Sequence, residues 1–175
     1  HWGGQGPILH LAHANSFHPA SYKLLINTLK KKFDVYSILF RPFHGNSDIH
    51  DFNSWKQFRD DFLEIAQNRN WQNIIGFGHS LGAMVTMLAA EKAPHLFEKI
   101  IAVEPPIIPR AFTLSLKIIP YSISKYIVPP SRIAIKRRHK WSSRQEAFDF
   151  FRDKRVFAGF PDESLWAYVN HGISE

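Results

Sequence analysis

Hydrophobic and polar positions alternate along residues 7–104 with two different periods. Short apolar runs rich in Ile, Val and Leu are separated by longer stretches in which apolar side chains recur every three to four positions. The first pattern predicts buried strands and the second predicts amphipathic helices. The predicted strands cover residues 7–12, 35–40, 73–77 and 99–103, and the predicted helices cover residues 21–32, 54–69 and 81–93. This alternation indicates right-handed crossovers and a parallel sheet with helices on both faces, which is an α/β fold.

The ends of these helices carry recognisable signals. Ser21 and Ser54 each precede a periodic apolar stretch, so both are predicted to be N-cap residues. Pro94 predicts the end of the third helix, because proline cannot continue a helix interior.

The β pattern ends at Glu104. Residues 105–175 contain an apolar stretch over 111–128, several proline breaks, and helical patterns over 144–151 and 162–169. This second part therefore reads as a helical insertion rather than as further sheet.

A five-residue motif joins the third predicted strand to the third predicted helix. Gly78-His79-Ser80-Leu81-Gly82 matches G-x-S-x-G. A strand that turns abruptly into a helix strains its turn residue, and flanking glycines avoid collisions with neighbouring backbone. The pattern predicts that the Ser80 hydroxyl projects above the sheet edge at a helix N-terminus, where the helix dipole favours negative charge. The alternative is a tight turn that contains an incidental serine.

Acyl transfer by a serine also requires donors for the oxyanion. One donor comes with the turn itself, the backbone N–H of Leu81. The second is expected on the loop after the first strand, which reads His13-Ala14-Asn15-Ser16.

With this loop and this turn, the chain resembles the α/β-hydrolase superfamily, whose members carry an H-G-x type loop, a nucleophile elbow and then a cap. The resemblance covers residues 7–104 and implies that the N–H of Asn15 is the second oxyanion donor and that His13 supports the loop. Ala14 stands where the family usually has glycine. The resemblance also implies two regions: residues 1–104 form the N-terminal part of the hydrolase core, and residues 105–175 form an incomplete helical cap.

The family order of catalytic residues is serine, acid, histidine. Glu104 ends the fourth predicted strand, where open α/β sheets place their sites, and it is the candidate acid; the alternative is an incidental acidic residue. The family histidine follows the last strand. We therefore expect it beyond Glu175, with the C-terminal strands absent and the 175 residues alone inactive. His79 is predicted to point away from Ser80, and His171 on the last predicted helix is not assigned as the base.

Composition narrows the function further. The 175 residues contain no cysteine, which excludes disulfides, a cysteine nucleophile and thiolate metal sites. The net charge is +7, and residues 105–175 carry most of it. The basic run over 136–140 predicts a solvated helix face, with an acidic partner as the alternative; no nucleic-acid-binding motif accompanies it. Neither metal-ligand spacing nor a nucleotide-binding loop is present, so no metal and no cofactor is predicted.

Together these patterns predict a serine hydrolase acting on a small-molecule, ester-like substrate of the carboxylesterase or lipase kind. The apolar stretch over 111–128 favours a substrate with an apolar group, with packing of the cap as its alternative role. No apolar run is long enough to span a bilayer, and no secretory signal is visible, so a cytoplasmic protein is predicted. The competing hypothesis is a non-catalytic relative that acts as a binding module. The sequence predicts no oligomeric state.

Overall fold

A computed structural model describes residues 1–44, 54–107, 138 and 140–173. The described residues form a four-stranded sheet in the order β2-β1-β3-β4, with every neighbouring pair parallel. The strands are β1 (Ile8–Ala12), β2 (Asp34–Tyr36), β3 (Ile74–His79) and β4 (Phe97–Val103). The predicted parallel α/β sheet is confirmed.

Helices connect and flank these strands. They are α1 (Lys23–Leu29), α2 (Trp55–Asn68), α3 (Leu81–Lys92), α4 (Arg144–Arg152) and α5 (Asp162–Gly172). Single 3-10 turns occupy Pro19–Tyr22, Arg41–Phe43, Pro94–Leu96 and Arg155–Phe157. Each predicted helix is therefore present, with ends that differ by a few residues.

The predicted cap at Ser54 is confirmed. Its hydroxyl accepts a hydrogen bond from the N–H of Lys56 at 3.2 Å, and the Gln57 side chain accepts one from the N–H of Ser54 at 3.2 Å. This reciprocal capping box satisfies donors that the first turn of a helix leaves unpaired.

The predicted cap at Ser21 is wrong. The turn over Pro19–Tyr22 is capped by His18, whose Nδ1 accepts a hydrogen bond from the N–H of Ala20 at 3.1 Å. Pro19 fits the first position of that turn because its missing N–H needs no partner there. The Ser21 hydroxyl is buried and has no hydrogen-bond partner among the residues that the structure describes.

Strand β2 is shorter than the predicted strand over residues 35–40. Beyond Tyr36, the backbone N–H groups of Ile38 and Phe40 donate to histidine side chains and not to backbone carbonyls of β1. One histidine lies in β1 and the other directly follows it. His10 Nε2 accepts from the N–H of Ile38 at 3.3 Å, and His13 Nε2 accepts from the N–H of Phe40 at 3.1 Å. After the ladder with β1 ends at Tyr36, imidazole nitrogens and not backbone carbonyls accept from these two backbone N–H groups.

Two apolar layers sandwich the central strands. On one face, Ile26 of α1 packs against Leu9, Leu11 and Ile75. On the other face, side chains of α2 and α3 pack against Ile74. The members of this second cluster are Phe62, Ala66, Trp71, Ile74, Ala89, Ala93 and Leu96.

Strand β4 is much less covered than its neighbours. Ile100, Ile101 and Val103 expose 40%, 44% and 37% of their surface. β4 is the last strand in the sheet order, and none of the described residues pairs with its outer edge.

The chain divides into two compact units, one of residues 1–106 and 147–175 and one of residues 107–146. Within the first unit, α5 packs against the turn over Pro19–Tyr22 and against α1. An aromatic cluster joins the loop after β1 to the C-terminal part of this unit. Its members are Phe17, Phe151, Phe157, Phe160 and Tyr168.

The second unit is described only in small part. There Glu146 accepts hydrogen bonds from the N–H and the hydroxyl of Ser142, at 2.6 and 2.7 Å, and these bonds lower the pKa of Glu146 to about 2. The predicted apolar stretch over 111–128 and most of the basic run over 136–140 lie outside the described residues. The boundary predicted between core and cap after Glu104 stays a prediction.

Across the described ranges, no helix combines the length and the apolar character that a bilayer crossing requires.

Candidate active site

The backbone turns abruptly at Ser80. The residue lies between the end of β3 and the start of α3, with φ 53° and ψ −117°, and its N–H donates to the carbonyl of Val103 at 2.8 Å. A non-glycine residue in such a conformation costs about 1–3 kcal/mol, and such residues cluster at functional sites. Ser80 is half-buried rather than enclosed in the core. This is the strand–turn–helix geometry that the G-x-S-x-G motif predicts.

The two motif glycines are required by close backbone contacts. A Cβ on Gly78 would lie 2.5 Å from the Cα of Ala83, inside the first turn of α3. A Cβ on Gly82 would overlap the carbonyl of Ala12 and lie 2.7 Å from the carbonyl oxygen of His13. The start of α3 therefore packs directly on the backbone at the end of β1, which brings the turn at Ser80 next to the loop that begins at His13.

His13 is fully buried at the start of that loop. Its Nδ1–H donates to the carbonyl of Ala14 at 2.9 Å, and its Nε2 accepts from the N–H of Phe40 at 3.1 Å. Burial lowers the pKa of His13 to about 4, so the imidazole is neutral at pH 7. These contacts connect the loop after β1 to the segment after β2.

Within the described ranges, the backbone N–H groups of Asn15 and Leu81 have no hydrogen-bond acceptor. Asn15 is exposed, and Leu81 is the first residue of α3. Two open donors at the carboxyl ends of neighbouring strands are a suitable arrangement for binding an anionic oxygen.

His79 precedes Ser80, and its two ring nitrogens face other groups. The Tyr22 hydroxyl lies 2.8 Å from His79 Nδ1 and also accepts the N–H of Ala14 at 3.0 Å. His79 Nε2 lies 3.9 Å from a carboxylate oxygen of Glu104. Tyr22 was not identified from the sequence as part of the site. No local signal links it to His79, because the two residues are 57 positions apart.

Glu104 directly follows β4. Its side chain is 85% exposed, and its φ is 48°. Ser16, Ser80 and Glu104 thus share a positive φ and follow β1, β3 and β4 at the same edge of the sheet. Positive φ also occurs at Asn70 and Asn73 at the opposite edge, but asparagine adopts it readily, whereas serine and glutamate do so at a cost. The edge that holds Ser80 is therefore the candidate functional site.

Other histidines have different partners. The ring of His171 in α5 stacks on that of His18, with centroids 4.9 Å apart and planes 14° apart. Within the described ranges, no group of three or more His, Asp or Glu side chains is arranged to hold a metal ion.

A cleft of about 600 Å³ lies elsewhere. It is lined by the second half of α2, the end of α3 and the segment that leads into β3, including Glu64, Trp71 and Lys92. Because β3 begins there and Ser80 follows its end, this cleft is at the opposite edge of the sheet from Ser80. The candidate site is therefore defined by Ser80 and the loops beside it, and not by this cleft.

Comparison with known proteins finds relatives that are named as esterases. A strigolactone esterase of Arabidopsis thaliana is 30% identical over 101 residues, covering 55% of this chain and 38% of that protein. A Mycoplasma pneumoniae protein with the provisional name esterase/lipase 1 is 29% identical over 145 residues, covering 80% and 48%. The chain thus matches less than half the length of either relative.

Solved structures agree on the fold. The thioesterase domain from the curacin biosynthetic pathway aligns with a TM-score of 0.71 at 18% identity, covering 97% of this chain and 61% of that one. The family described as the alpha/beta hydrolase family matches residues 11–172. Because this match begins at the end of β1 and continues through the turn at Ser80 to α5, the chain belongs to the alpha/beta hydrolase family.

Proposed function

We propose that the protein is a serine hydrolase that cleaves an ester-like acyl bond of a small molecule, with Ser80 as its nucleophile. One observation carries the proposal. The backbone at Gly82, just after the strained turn at Ser80, packs against the start of the loop that begins at His13. The Ser80 hydroxyl and the N–H groups of Asn15 and Leu81 therefore lie at the same edge of the sheet. Membership of the hydrolase family and two relatives named as esterases support an acyl substrate.

The proposed reaction runs in two steps. The Ser80 oxygen attacks the substrate carbonyl, a general base takes the hydroxyl proton, and the alcohol leaves with that proton to give an acyl-enzyme. Water then attacks the acyl carbon and releases the acid, returning the proton to Ser80. In both steps, the N–H groups of Asn15 and Leu81 donate to the oxyanion of the tetrahedral intermediate, and the N-terminus of α3 favours its negative charge.

The general base is assigned outside the described residues. His79 faces Tyr22 and Glu104 through its two nitrogens, which does not suit it to take a proton from Ser80. A histidine beyond residues 1–175 stays a prediction. Glu104 is proposed as the acid because it follows β4 at the carboxyl edge of the sheet, beside the end of β3.

Labelling with a fluorophosphonate tests the nucleophile directly. We expect the full-length protein to be labelled on the peptide that contains Ser80, and Ser80→Ala to abolish labelling. Ser37→Ala is the matched control, since Ser37 lies after β2 and accepts a hydrogen bond from the Trp2 side chain. A folded full-length protein that resists labelling would contradict the enzyme and favour the non-catalytic binding module.

A panel of p-nitrophenyl esters tests the substrate class. The apolar stretch over 111–128 supports an apolar acyl or alcohol group, so we expect kcat/KM to rise with acyl chain length. A preference for short, charged esters would contradict this part of the proposal.

A further inference from the structure

Tyr22 occupies the junction between the turn over Pro19–Tyr22 and α1, and its hydroxyl reaches two different loops. The hydroxyl oxygen lies 3.0 Å from the backbone nitrogen of Ala14 and 2.8 Å from His79 Nδ1. The phenol ring meets the imidazole of His79 edge-on, with centroids 5.9 Å apart and planes at 78°. One hydroxyl therefore bridges the loop after β1 and the turn after β3.

The position of the protons in this bridge follows from which groups can donate a hydrogen bond and which can accept one. The Ala14 N–H is only a donor, so the Tyr22 oxygen accepts from it. Burial raises the pKa of Tyr22 to about 12, so the phenol keeps its proton near neutral pH. That single proton can be donated to His79 Nδ1, which lies 2.8 Å from the hydroxyl oxygen. In that arrangement Nδ1 is the acceptor and the ring hydrogen lies on Nε2, the nitrogen 3.9 Å from Glu104.

Together with two other hydrogen bonds, this bridge restrains the backbone on both sides of Ala14 in the loop after β1. Tyr22 holds the N–H of Ala14, while the carbonyl of Ala14 accepts hydrogen bonds from His13 Nδ1 at 2.9 Å and from the N–H of Phe17 at 3.1 Å. Both peptide planes that flank Ala14 are thereby fixed. Because the N–H of a trans peptide points opposite to its carbonyl, the N–H of Asn15 has one defined direction.

We propose that Tyr22 is a positioning residue, which holds the Asn15 N–H in register with Ser80 by joining Ala14 to His79 through its hydroxyl. The inference rests on the proposed function, because it assigns the oxyanion to that N–H. Tyr22 does not touch the reacting atoms; it acts through the two loops that carry them. A preorganised donor is effective only where it is held at the position of the developing charge, so loss of the bridge lowers the rate of acylation and leaves substrate affinity nearly unchanged.

The protonation state of His79 tests the bridge without any substrate. In full-length protein with 15N-labelled histidine, and with the His79 signals assigned by their loss in His79→Leu, we expect Nδ1 to be unprotonated and Nε2 to carry the hydrogen. Tyr22→Phe should shift this balance toward a mixture of the two tautomers. A tautomer balance of His79 that Tyr22→Phe leaves unchanged would overturn the proposal.

Kinetics test the positioning role. We expect Tyr22→Phe to slow both phosphonylation of Ser80 and kcat for p-nitrophenyl butyrate by about 10- to 100-fold, with KM within about twofold of wild type. Tyr36→Phe is the matched control, because the Tyr36 hydroxyl donates to Asp34 at 3.0 Å and should leave both rates unchanged. His79→Leu breaks the bridge from the other side and is expected to give a similar loss, which keeps the test informative if Tyr22→Phe does not fold.

The outcomes separate the two proposals. A wild-type Ser80 that does not react overturns the proposed function and, with it, the role of Tyr22. A reactive wild type combined with a Tyr22→Phe variant of equal rate overturns the role of Tyr22 alone. In the double variant Tyr22→Phe/His79→Leu, we expect a loss no larger than that of Tyr22→Phe alone, since Tyr22→Phe already removes the bond to His79; losses that multiply would contradict the bridge.

Discussion

Gly82 rests directly on the carbonyl group of Ala12, so closely that a Cβ atom on the glycine would overlap the carbonyl oxygen. The contact joins the first turn of α3 to the end of β1. Since Ser80 lies two residues before Gly82 and His13 follows Ala12, the distance between the candidate nucleophile and the loop after β1 is set by a contact between backbones.

Replacing Gly82 with alanine should therefore be costly. The atoms in the way belong to backbone, which cannot move aside as a flexible side chain can. We expect Gly82→Ala to lower the free energy of unfolding by about 1–3 kcal/mol, measured by urea denaturation. Gly159→Ala is the control, because a Cβ there meets no atom within 4 Å, and we expect little change. Equal effects of the two substitutions would show that the contact at Gly82 is not tight.

The strain at Ser80 has a measurable energy. Ser80→Ala and Ser80→Gly both remove the hydroxyl, but glycine adopts a positive φ without the cost that a Cβ imposes. We therefore expect Ser80→Gly to be more stable than Ser80→Ala by about 1 kcal/mol or more, in line with the cost of such conformations. Thermal unfolding of the two variants checks this.

Asn73 offers a comparison for that measurement. It has the same φ of 53° as Ser80, but asparagine tolerates left-handed backbone better than most residues. The stability difference between Asn73→Gly and Asn73→Ala should likewise favour glycine, whereas Asn73→Gly relative to wild type should be nearly neutral. If Ser80→Gly is no more stable than Ser80→Ala, the turn is not strained.

Buried histidines predict how stability depends on pH. Burial, with a smaller contribution from His13, lowers the pKa of His10 to about 3, and burial lowers that of His13 to about 4. The unfolded chain binds these protons near pH 6.5, so between that pH and about pH 4 it holds more protons than the folded protein. The free energy of unfolding should therefore be highest above pH 6.5 and should fall as the pH falls through this window, by up to about 1.4 kcal/mol for each unit of pKa difference.

Urea denaturation between pH 7.5 and pH 4.5 measures that slope. His10→Gln keeps a hydrogen-bond acceptor for the N–H of Ile38 but does not titrate, so its stability should fall less steeply with decreasing pH. His95→Gln is the control, since His95 is exposed, and it should keep the wild-type slope. A His10→Gln variant with the wild-type slope would contradict the assignment to His10.

The partly exposed strand β4 leads to a prediction about self-association of the polypeptide. Apolar side chains on an unpaired edge favour strand pairing between molecules, and a lysine on the edge opposes it. Ile101 is 44% exposed, so Ile101→Lys should reduce self-association of the 175-residue polypeptide, measured by light scattering. Ile75→Lys is a poor control because Ile75 is buried; Val156→Lys, at a residue 61% exposed outside the sheet, should leave self-association unchanged.

Local patterns were sufficient for part of this molecule and insufficient for the rest. The alternation of strands and helices and the capping box at Ser54 follow from neighbouring residues, and the turn at Ser80 follows from two glycines in a five-residue motif. The early end of β2 was not predicted, and the backbone donors after it bond to His10 and His13, which lie 28 and 27 positions away in the sequence.

The error at Ser21 has a similar origin. A serine before an apolar stretch is a valid helix start, but His18 and Pro19 begin a tighter turn three residues earlier and leave the serine inside it. The contact between Tyr22 and His79 was equally invisible, because His79 lies at the end of β3, 57 positions away in the sequence. Hydrogen bonds between side chains that are distant in the sequence depend on the folded structure, so local sequence periodicity does not predict them.

Ser16, Ser80 and Glu104 also bear on any attempt to make this protein more heat-resistant. Glycine at each of these positions relaxes a conformation that an L-residue adopts at a cost, so a stability screen will tend to select it there. This increase in stability would come from substitutions at the edge of the sheet that holds the proposed active site. Engineering for heat resistance is therefore best directed to the opposite edge of the sheet, where Asn70 and Asn73 have positive φ angles that asparagine adopts more readily than most residues.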